Sequence, residues 1–240
     1  MSALAARRPQ ALLFDVFGTV VDWRGSIARA LRRLLRAKGI NKAIDAGAFA
    51  DRWRAGYRPA MQRVRDGALP WTSLDALHRM ILDELLPEFG LRLNEGDRRE
   101  LNLAWHRLAP WPDAVRGLTR LKRGYLIATL SNGNVRLLVD MAKHARLPWD
   151  CVLSAELFGH YKPDPEVYLG AVALLGLAPR EVMLVAAHKD DLAAARRCGL
   201  ATAFVKRPLE RGPKVVPDVA EDPRCTFNTD DFVDLARQLG

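Results

Sequence analysis

Asp15 ends an apolar run, Ala11-Leu12-Leu13-Phe14, and a hydroxyl follows at Thr19. A carboxylate at the end of an otherwise apolar strand is costly to desolvate, so it reads as a group in use, a nucleophile, rather than a mere turn cap. Three further groupings are its candidate partners: Ser131-Asn132-Gly133, Lys162 before Pro163, and the run His188-Lys189-Asp190-Asp191. Lys162 is the natural counter-charge for a carboxylate nucleophile. Ser131 and the amides around Asn132 and Gly133 precede a helix, and free N–H groups at a helix start suit a small anion. Imidazole titrates near neutral pH, so His188 can act as base or donor, with simple packing in a loop as the alternative.

These groups need elements to bring them together. Residues 11–17 form a strand that is apolar on both faces, as a central parallel strand should be. From about 22 to 110 no convincing strand occurs, and the pattern reads as helices over 26–38, 46–64, 73–85 and 95–108 separated by turn signals such as Asp66-Gly67 and Phe89-Gly90. Beyond that, strands at 125–130, 151–154, 182–187, 202–205 and 224–227 alternate with helices at 135–145, 165–175, 192–198 and 229–239. Such alternation predicts a parallel sheet with right-handed crossovers, which the first strand joins from across the helical stretch. The fold class is therefore α/β. A doubly wound, Rossmann-like parallel-sheet core of residues 1–21 and 111–240 is interrupted by an inserted helical cap domain of residues 22–110. Ligands of such sheets bind beyond the carboxyl ends of the strands, and Asp15, Ser131, Lys162 and His188 follow the first four core strands in turn.

Composition narrows the remaining choices. The 240 residues are 49% hydrophobic, enough for a packed core and too apolar for disorder. No apolar run approaches the roughly 20 residues that span a bilayer. Arg7-Arg8 invites a twin-arginine or secretory reading, but Asp15 cuts the following apolar run after Phe14; a short tail and a cytoplasmic protein are expected. The 3 cysteines form no C-x-x-C pair and fit a reducing compartment. The net charge of +9 is concentrated partly at Arg29, Arg32, Arg33, Arg36 and Lys38, the solvated face of an amphipathic helix. No nucleic-acid recognition motif accompanies it, so attraction for small anions is all that the charge supports. The tryptophans are spaced as core and cap packing, without cage-like clustering.

Taken in order, Phe14-Asp15-x-x-Gly18-Thr19, Leu130-Ser131-Asn132-Gly133, Lys162-Pro163-Asp164-Pro165 with Tyr168, and the acidic pair Asp190-Asp191 resemble the haloacid dehalogenase (HAD) superfamily. More narrowly, the chain is similar to the type II L-2-haloacid dehalogenases, over nearly its whole length and including a helical cap between the first two motifs. The first motif alone is moderately specific; the ordered set is highly specific. Phosphotransferases of the superfamily carry D-x-D-x-T, whose second aspartate protonates a leaving alkoxide, and here that position is Phe17. Halide leaves as a weak base and needs no such acid. The segment Val185-Ala186-Ala187-His188-Lys189 also lacks the carboxylate expected of a Mg²⁺ site, so no metal and no cofactor are expected.

The resemblance implies a mechanism. Asp15 attacks Cα of a short L-2-haloalkanoate, halide leaves, and water hydrolyses the aspartyl ester to a D-2-hydroxy acid. Thr19 orients Asp15, Lys162 balances its charge, and Ser131, Asn132 and Gly133 receive the substrate, with Asn132 sharing the halide. The halide donor is an arginine of the cap, and Arg54 in Trp53-Arg54-x-x-Tyr57 matches it; a solvated arginine like its neighbours Arg52 and Arg58 is the alternative. Phe17 reads as pocket wall, and Tyr168 as either a substrate contact or core packing. The chain departs from the family in its fourth motif, where Ser-Ser-Asn-x-x-Asp becomes Ala186-Ala187-His188-Lys189-Asp190-Asp191. Asp191 keeps the aspartate position, to orient Lys162 or the water, while His188 replaces an asparagine. The implied partners are a small 2-haloacid and water, with no nucleic acid or membrane, and a homodimer is expected from the resemblance alone. Two other readings stand beside this one, a Mg²⁺-dependent phosphatase of a small phosphoester and a non-enzymatic HAD-like binding protein.

Overall fold

The computed structural model of the protein describes residues 8–40, 43–215 and 218–240. Residues 1–7 of the tail expected ahead of the first strand, including Arg7 of the Arg7-Arg8 pair, lie outside the described residues. The run Ala11–Phe14 forms strand β1 and is buried throughout. Burying each of its large side chains contributes about 1.5–3 kcal/mol. The chain then passes through β2 (Val21–Asp22), α1 (Trp23–Ala37), α2 (Ala46–Ala55), α3 (Tyr57–Arg65), α4 (Leu74–Glu88), α5 (Glu95–Asn102) and β3 (Ala109–Pro110). It continues as α6 (Ala114–Leu121), β4 (Leu126–Ser131), α7 (Val135–Ala145), β5 (Cys151–Ser154), α8 (Pro165–Leu174), β6 (Val182–Ala186), α9 (Lys189–Arg197), β7 (Ala201–Val205), β8 (Phe227–Thr229) and α10 (Phe232–Leu239).

Six strands form one parallel sheet in the order β5-β4-β1-β6-β7-β8. The chain grows outward from β1 through β4 to β5, then returns to the other side of β1 at β6 and continues outward. Phe14 lies level with Thr129 of β4 on one side and Val185 of β6 on the other. This reversal of strand order is where a doubly wound sheet opens a crevice at its carboxyl edge, and Asp15 is the next residue.

The helices α1 to α5 form an insert whose two connections to the sheet run side by side, because β2 and β3 pair antiparallel. That short pair is absent from the sequence reading: two residues per strand are too few to show alternation. The helix predicted over 46–64 breaks at Gly56. Pro59 has no N–H to give the Ala55 carbonyl, so the ladder cannot continue. Gly56 also sits against Ile81, whose side chain a Cβ there would approach to 2.6 Å. Strand β1 stops at Phe14 rather than at Phe17, because the chain turns: the Val16 carbonyl accepts the Val20 N–H at 2.9 Å, with Gly18 at φ +86. The helix predicted over 95–108 ends as a 3-10 turn, Leu103–Arg107. Helix α9 starts three residues early, at Lys189, and the closing strand and helix lie a few residues later than their predicted bounds.

Candidate active site

The backbone N–H of Asp15 donates to the Val185 carbonyl at 3.1 Å, which holds its carboxylate just past the end of β1. Oδ2 of Asp15 accepts the Thr19 hydroxyl at 2.7 Å and lies 3.0 Å from Nδ1 of His188. Oδ1 accepts from Nζ of Lys162 at 3.2 Å. Thr19 is itself fixed, since its Oγ1 accepts the Ala187 N–H at 3.0 Å. Its carbonyl accepts from the buried Arg207, which pairs with Asp113. Nζ of Lys162 also donates to Oδ2 of Asp191 at 2.5 Å, and the Tyr168 hydroxyl donates to Oδ1 of Asp191 at 2.5 Å. The loop carrying Lys162 is tied to the end of β4: its N–H donates to Oδ1 of Asn132 at 2.7 Å.

The charges follow from this packing. Burial alone would raise the Asp15 carboxyl, but Lys162, His188 and Thr19 outweigh it and hold the group well below the usual carboxylate range. Burial works against the Lys162 ammonium too, yet Asp191 and Asp15 keep it charged. Burial raises Asp191, with the charge of Asp15 adding and Lys162 opposing. His188 also resists its burial: hydrogen bonds to Asp15 and Glu210 and their charges push its pKa up to about 10. The imidazole is therefore a cation at neutral pH, donating through both ring nitrogens.

The insert supplies the opposite wall. Arg54, in the last turn of α2, lays its guanidinium 3.9 Å from the ring centroid of Tyr57, 5.6 Å from Trp23 and 5.8 Å from Phe17. Its Nη1 is buried and has no hydrogen-bond partner among the described residues. Behind it, Trp53 donates to the His78 carbonyl at 2.9 Å, and the His78 ring stacks on Trp105 at 4.1 Å. A cavity of about 880 Å³ lies between the insert and the strand ends, and Asp15, Arg54, Asn132, Lys162, Tyr168, His188 and Asp191 all line it.

The haloacid dehalogenase-like hydrolase family model matches residues 9–199. The chain belongs to the haloacid dehalogenase-like hydrolases. Among curated relatives in this family, (S)-2-haloacid dehalogenase 4A of Burkholderia cepacia is 31% identical over 82% of this chain and 83% of its own length. The (S)-2-haloacid dehalogenase of Xanthobacter autotrophicus is 30% identical over 82% and 75%. Of solved structures, the L-2-haloacid dehalogenase PA0810 is 52% identical with a TM-score of 0.91, covering 97% of this chain and 100% of that one. The defluorinating L-2-haloacid dehalogenase Rha0230 is 47% identical with a TM-score of 0.94, over 100% and 98%.

Within this family member, four of the residues singled out from sequence, Phe17, Thr19, Ser131 and Gly133, lie under the cavity floor rather than in its lining. Phe17, expected as pocket wall, is 2% exposed and packs edge-on against His78 and Trp105. The loop turn after Val16 tucks it toward the insert. Two of the amides at the expected anion seat before α7 are engaged within the protein: the Gly133 N–H goes to Oγ of Ser131 at 3.1 Å and the Val135 N–H to the Glu156 carboxylate at 2.8 Å. A carboxylate at a helix start is favoured by the helix dipole, and Glu156, just past β5, fills that role. The tryptophans do cluster in part, since the rings of Trp53 and Trp105 meet at 5.5 Å around His78. Residues 53, 78 and 105 come from three separate segments, so no local spacing reveals it.

Among the lining residues not singled out from sequence, Glu210 stands nearest the polar cluster. Glu210 accepts from Nε2 of His188 at 3.0 Å and from Nε1 of Trp23 at 3.1 Å. It sits a few residues beyond β7, where the strand-end rule that found Asp15 and Lys162 also points. Its approach explains Gly18 as well: a Cβ there would lie 2.3 Å from the Glu210 carboxylate.

Proposed function

We propose that this enzyme hydrolyses short L-2-haloalkanoic acids to D-2-hydroxy acids through an ester on Asp15. The observation that carries the reading is the pairing across one cavity of a carboxylate held ionised with Arg54, whose buried Nη1 is unclaimed by any group among the described residues. A nucleophile and an anion donor then stand on either side of a reacting carbon. Oδ1 of Asp15, which accepts one bond where Oδ2 has two neighbours, is the attacking oxygen. It forms a bond to Cα as the carbon–halogen bond breaks; the halide keeps the electron pair and configuration inverts. Arg54 receives the halide, and Nδ2 of Asn132, which donates to the Met61 sulfur at 3.3 Å and the Lys162 carbonyl at 3.4 Å, shares it. Lys162 offsets the repulsion between Asp15 and the substrate carboxylate. Water then attacks Cγ of the ester and frees the hydroxy acid and a proton. Phe17 offers no proton, and the halide needs none. The names of the relatives, (S)-2-haloacid and L-2-haloacid dehalogenase, support the same substrate class.

We further propose that residues 22–110 act as a cap domain over this cavity. Ion pairs Arg65–Asp164 at 2.7 Å and Arg58–Asp190 at 2.5 Å join α3 to the core around it. A homodimer in the cytoplasm is proposed on the resemblance and the sparse cysteines; light scattering of the purified protein tests the dimer. Lys162 already bridges Asp15 and Asp191, at 3.2 and 2.5 Å, so turnover is expected to survive EDTA. The deciding experiment follows chloride and lactate from L- and D-2-chloropropionate, with and without EDTA. Chloride and D-lactate from the L enantiomer alone support the reading. No chloride from either, beside Mg²⁺-dependent phosphate release from phosphoglycolate, overturns it.

A further inference from the structure

His188 and Thr19 converge on one atom. The Thr19 hydroxyl stands 2.7 Å from Oδ2 of Asp15 and Nδ1 of His188 stands 3.0 Å from the same oxygen, while Lys162 engages Oδ1. The Thr19 hydroxyl donates to Oδ2 while its oxygen accepts the Ala187 N–H, which fixes the position of Oγ1. On the far side of the ring, Nε2 of His188 lies 3.0 Å from Glu210, which Trp23 and the absent side chain of Gly18 hold in place. Once Oδ1 is alkylated, Oδ2 is the carbonyl oxygen of the ester. It is also where negative charge develops when water attacks.

We infer that His188 is a charged oxyanion donor for hydrolysis of the Asp15 ester, acting with Thr19, and that Glu210 is the positioning residue that keeps it so. This rests on the dehalogenase reading above and replaces the role of base that the sequence left open for His188. Water attacks Cγ, and the π pair of the Cγ–Oδ2 bond moves onto Oδ2, between the two donors. The proton lost by the water passes to Asp191, on the Oδ1 side. As the Cγ–Oδ1 bond breaks, that proton goes to Oδ1, which leaves as the product hydroxyl. The second water proton is released when Asp15 ionises. Donors preset toward a developing oxyanion cost no reorganisation at the moment of reaction.

Glu210 is needed because alkylation removes the charge on Asp15. Asp15 and Glu210 are the carboxylates that face His188 directly. Lys162 lies across Asp15, and Arg54 acts on Glu210. The adjacent Lys189 and Asp190 are turned away to Asp218 and Arg58. In the ester, Glu210 alone retains the imidazolium proton.

The direction of the pH dependence separates donor from base. Rapid mixing of the enzyme with L-2-chloropropionate gives two readouts, chloride release for alkylation and intact-protein mass for the ester. In the wild type we expect ester decay to slow as pH rises through the alkaline range. Glu210→Gln should release one chloride per site, accumulate ester that decays on the order of 10²-fold more slowly, and show its falling limb at lower pH. Glu210→Asp should recover part of the rate, and His188→Asn, a neutral donor, should decay slowly with no alkaline limb. Ester decay that accelerates with pH through the same range makes His188 a base and overturns the inference, and this holds for the wild type alone. Unchanged decay and pH limb in Glu210→Gln overturn it too. A wild type without any chloride burst overturns the dehalogenase reading, and the inference falls with it.

Discussion

Two imidazoles on either side of the Phe17 loop, one half-buried and one buried, show how differently the core and the insert treat the same side chain. His188, at the end of β6, is clasped between the carboxylates of Asp15 and Glu210, and its pKa rises to about 10. His78, inside α4, stacks on Trp105 with both ring nitrogens unpartnered, and burial with the charge of Arg54 drives its pKa down to about 3. The strand ends collect groups that stabilise charge; the insert collects rings that exclude it. The proposed reaction, a nucleophilic carboxylate facing a halide donor, needs both surroundings. The charged side keeps Asp15 ionised, and the aromatic side leaves Arg54 with a donor unpaired among the described residues.

The contrast can be broken from either side. Asp15→Asn removes both the nucleophile and the charge that His188 and Lys162 answer, and turnover of L-2-chloropropionate should fall by at least about 10⁴-fold. Arg54→Met keeps much of the stem over Tyr57 but deletes the donor, so kcat/KM for chloride release should fall by about 10²–10³-fold with the fold intact by circular dichroism. The histidines should respond in opposite directions to one substitution. His188→Phe removes the cation from between Glu210 and Asp15, leaving Asp15 to Lys162 and Glu210 to Trp23, and should cost about 3 kcal/mol in urea unfolding. His78→Phe removes buried polar atoms that have no partner and should stabilise by about 1 kcal/mol. Equal losses in the two variants would show that the two surroundings do not differ as described.

Their pH signatures should differ in sign as well. The stability that His188 contributes is complete below its ordinary value of 6.5 and is lost as pH rises through about 10. His78 binds its proton more readily unfolded, so stability falls as pH drops from 6.5 toward about 3, and the depressed Asp15 adds to that acid loss. Melting temperature against pH should therefore lose its alkaline limb in His188→Asn and part of its acid limb in His78→Phe.

Much of the fold was legible because its signals are local. The continuous apolar runs at Ala11–Phe14 and Val182–Ala186 read as buried parallel strands, and the strand–helix alternation after β4 set the topology. Element ends were less legible. Pro59 was readable in principle as the break between α2 and α3, whereas the two-residue strands at the root of the insert carry no periodicity. In the site, Asp15, Lys162 and Asp191 were visible as polar residues at the carboxyl ends of apolar strands, and they do meet within hydrogen-bond distance. Glu210 obeys the same rule, but the reading stopped at the fourth strand end.

By itself, then, the sequence determined the parallel core, the helical insertion and a strand-end carboxylate with its lysine, because hydrophobic period and strand-end polarity are written in neighbouring residues. Only the tertiary structure decided which groups lie in the cavity and which beneath it. It placed Phe17 in the floor, set Glu156 at the α7 start and put Glu210 behind His188. Those contacts join residues far apart in the chain, and a side chain's charge state is set by such neighbours. Identity at one position therefore made His188 a candidate, and two carboxylates made it a cation.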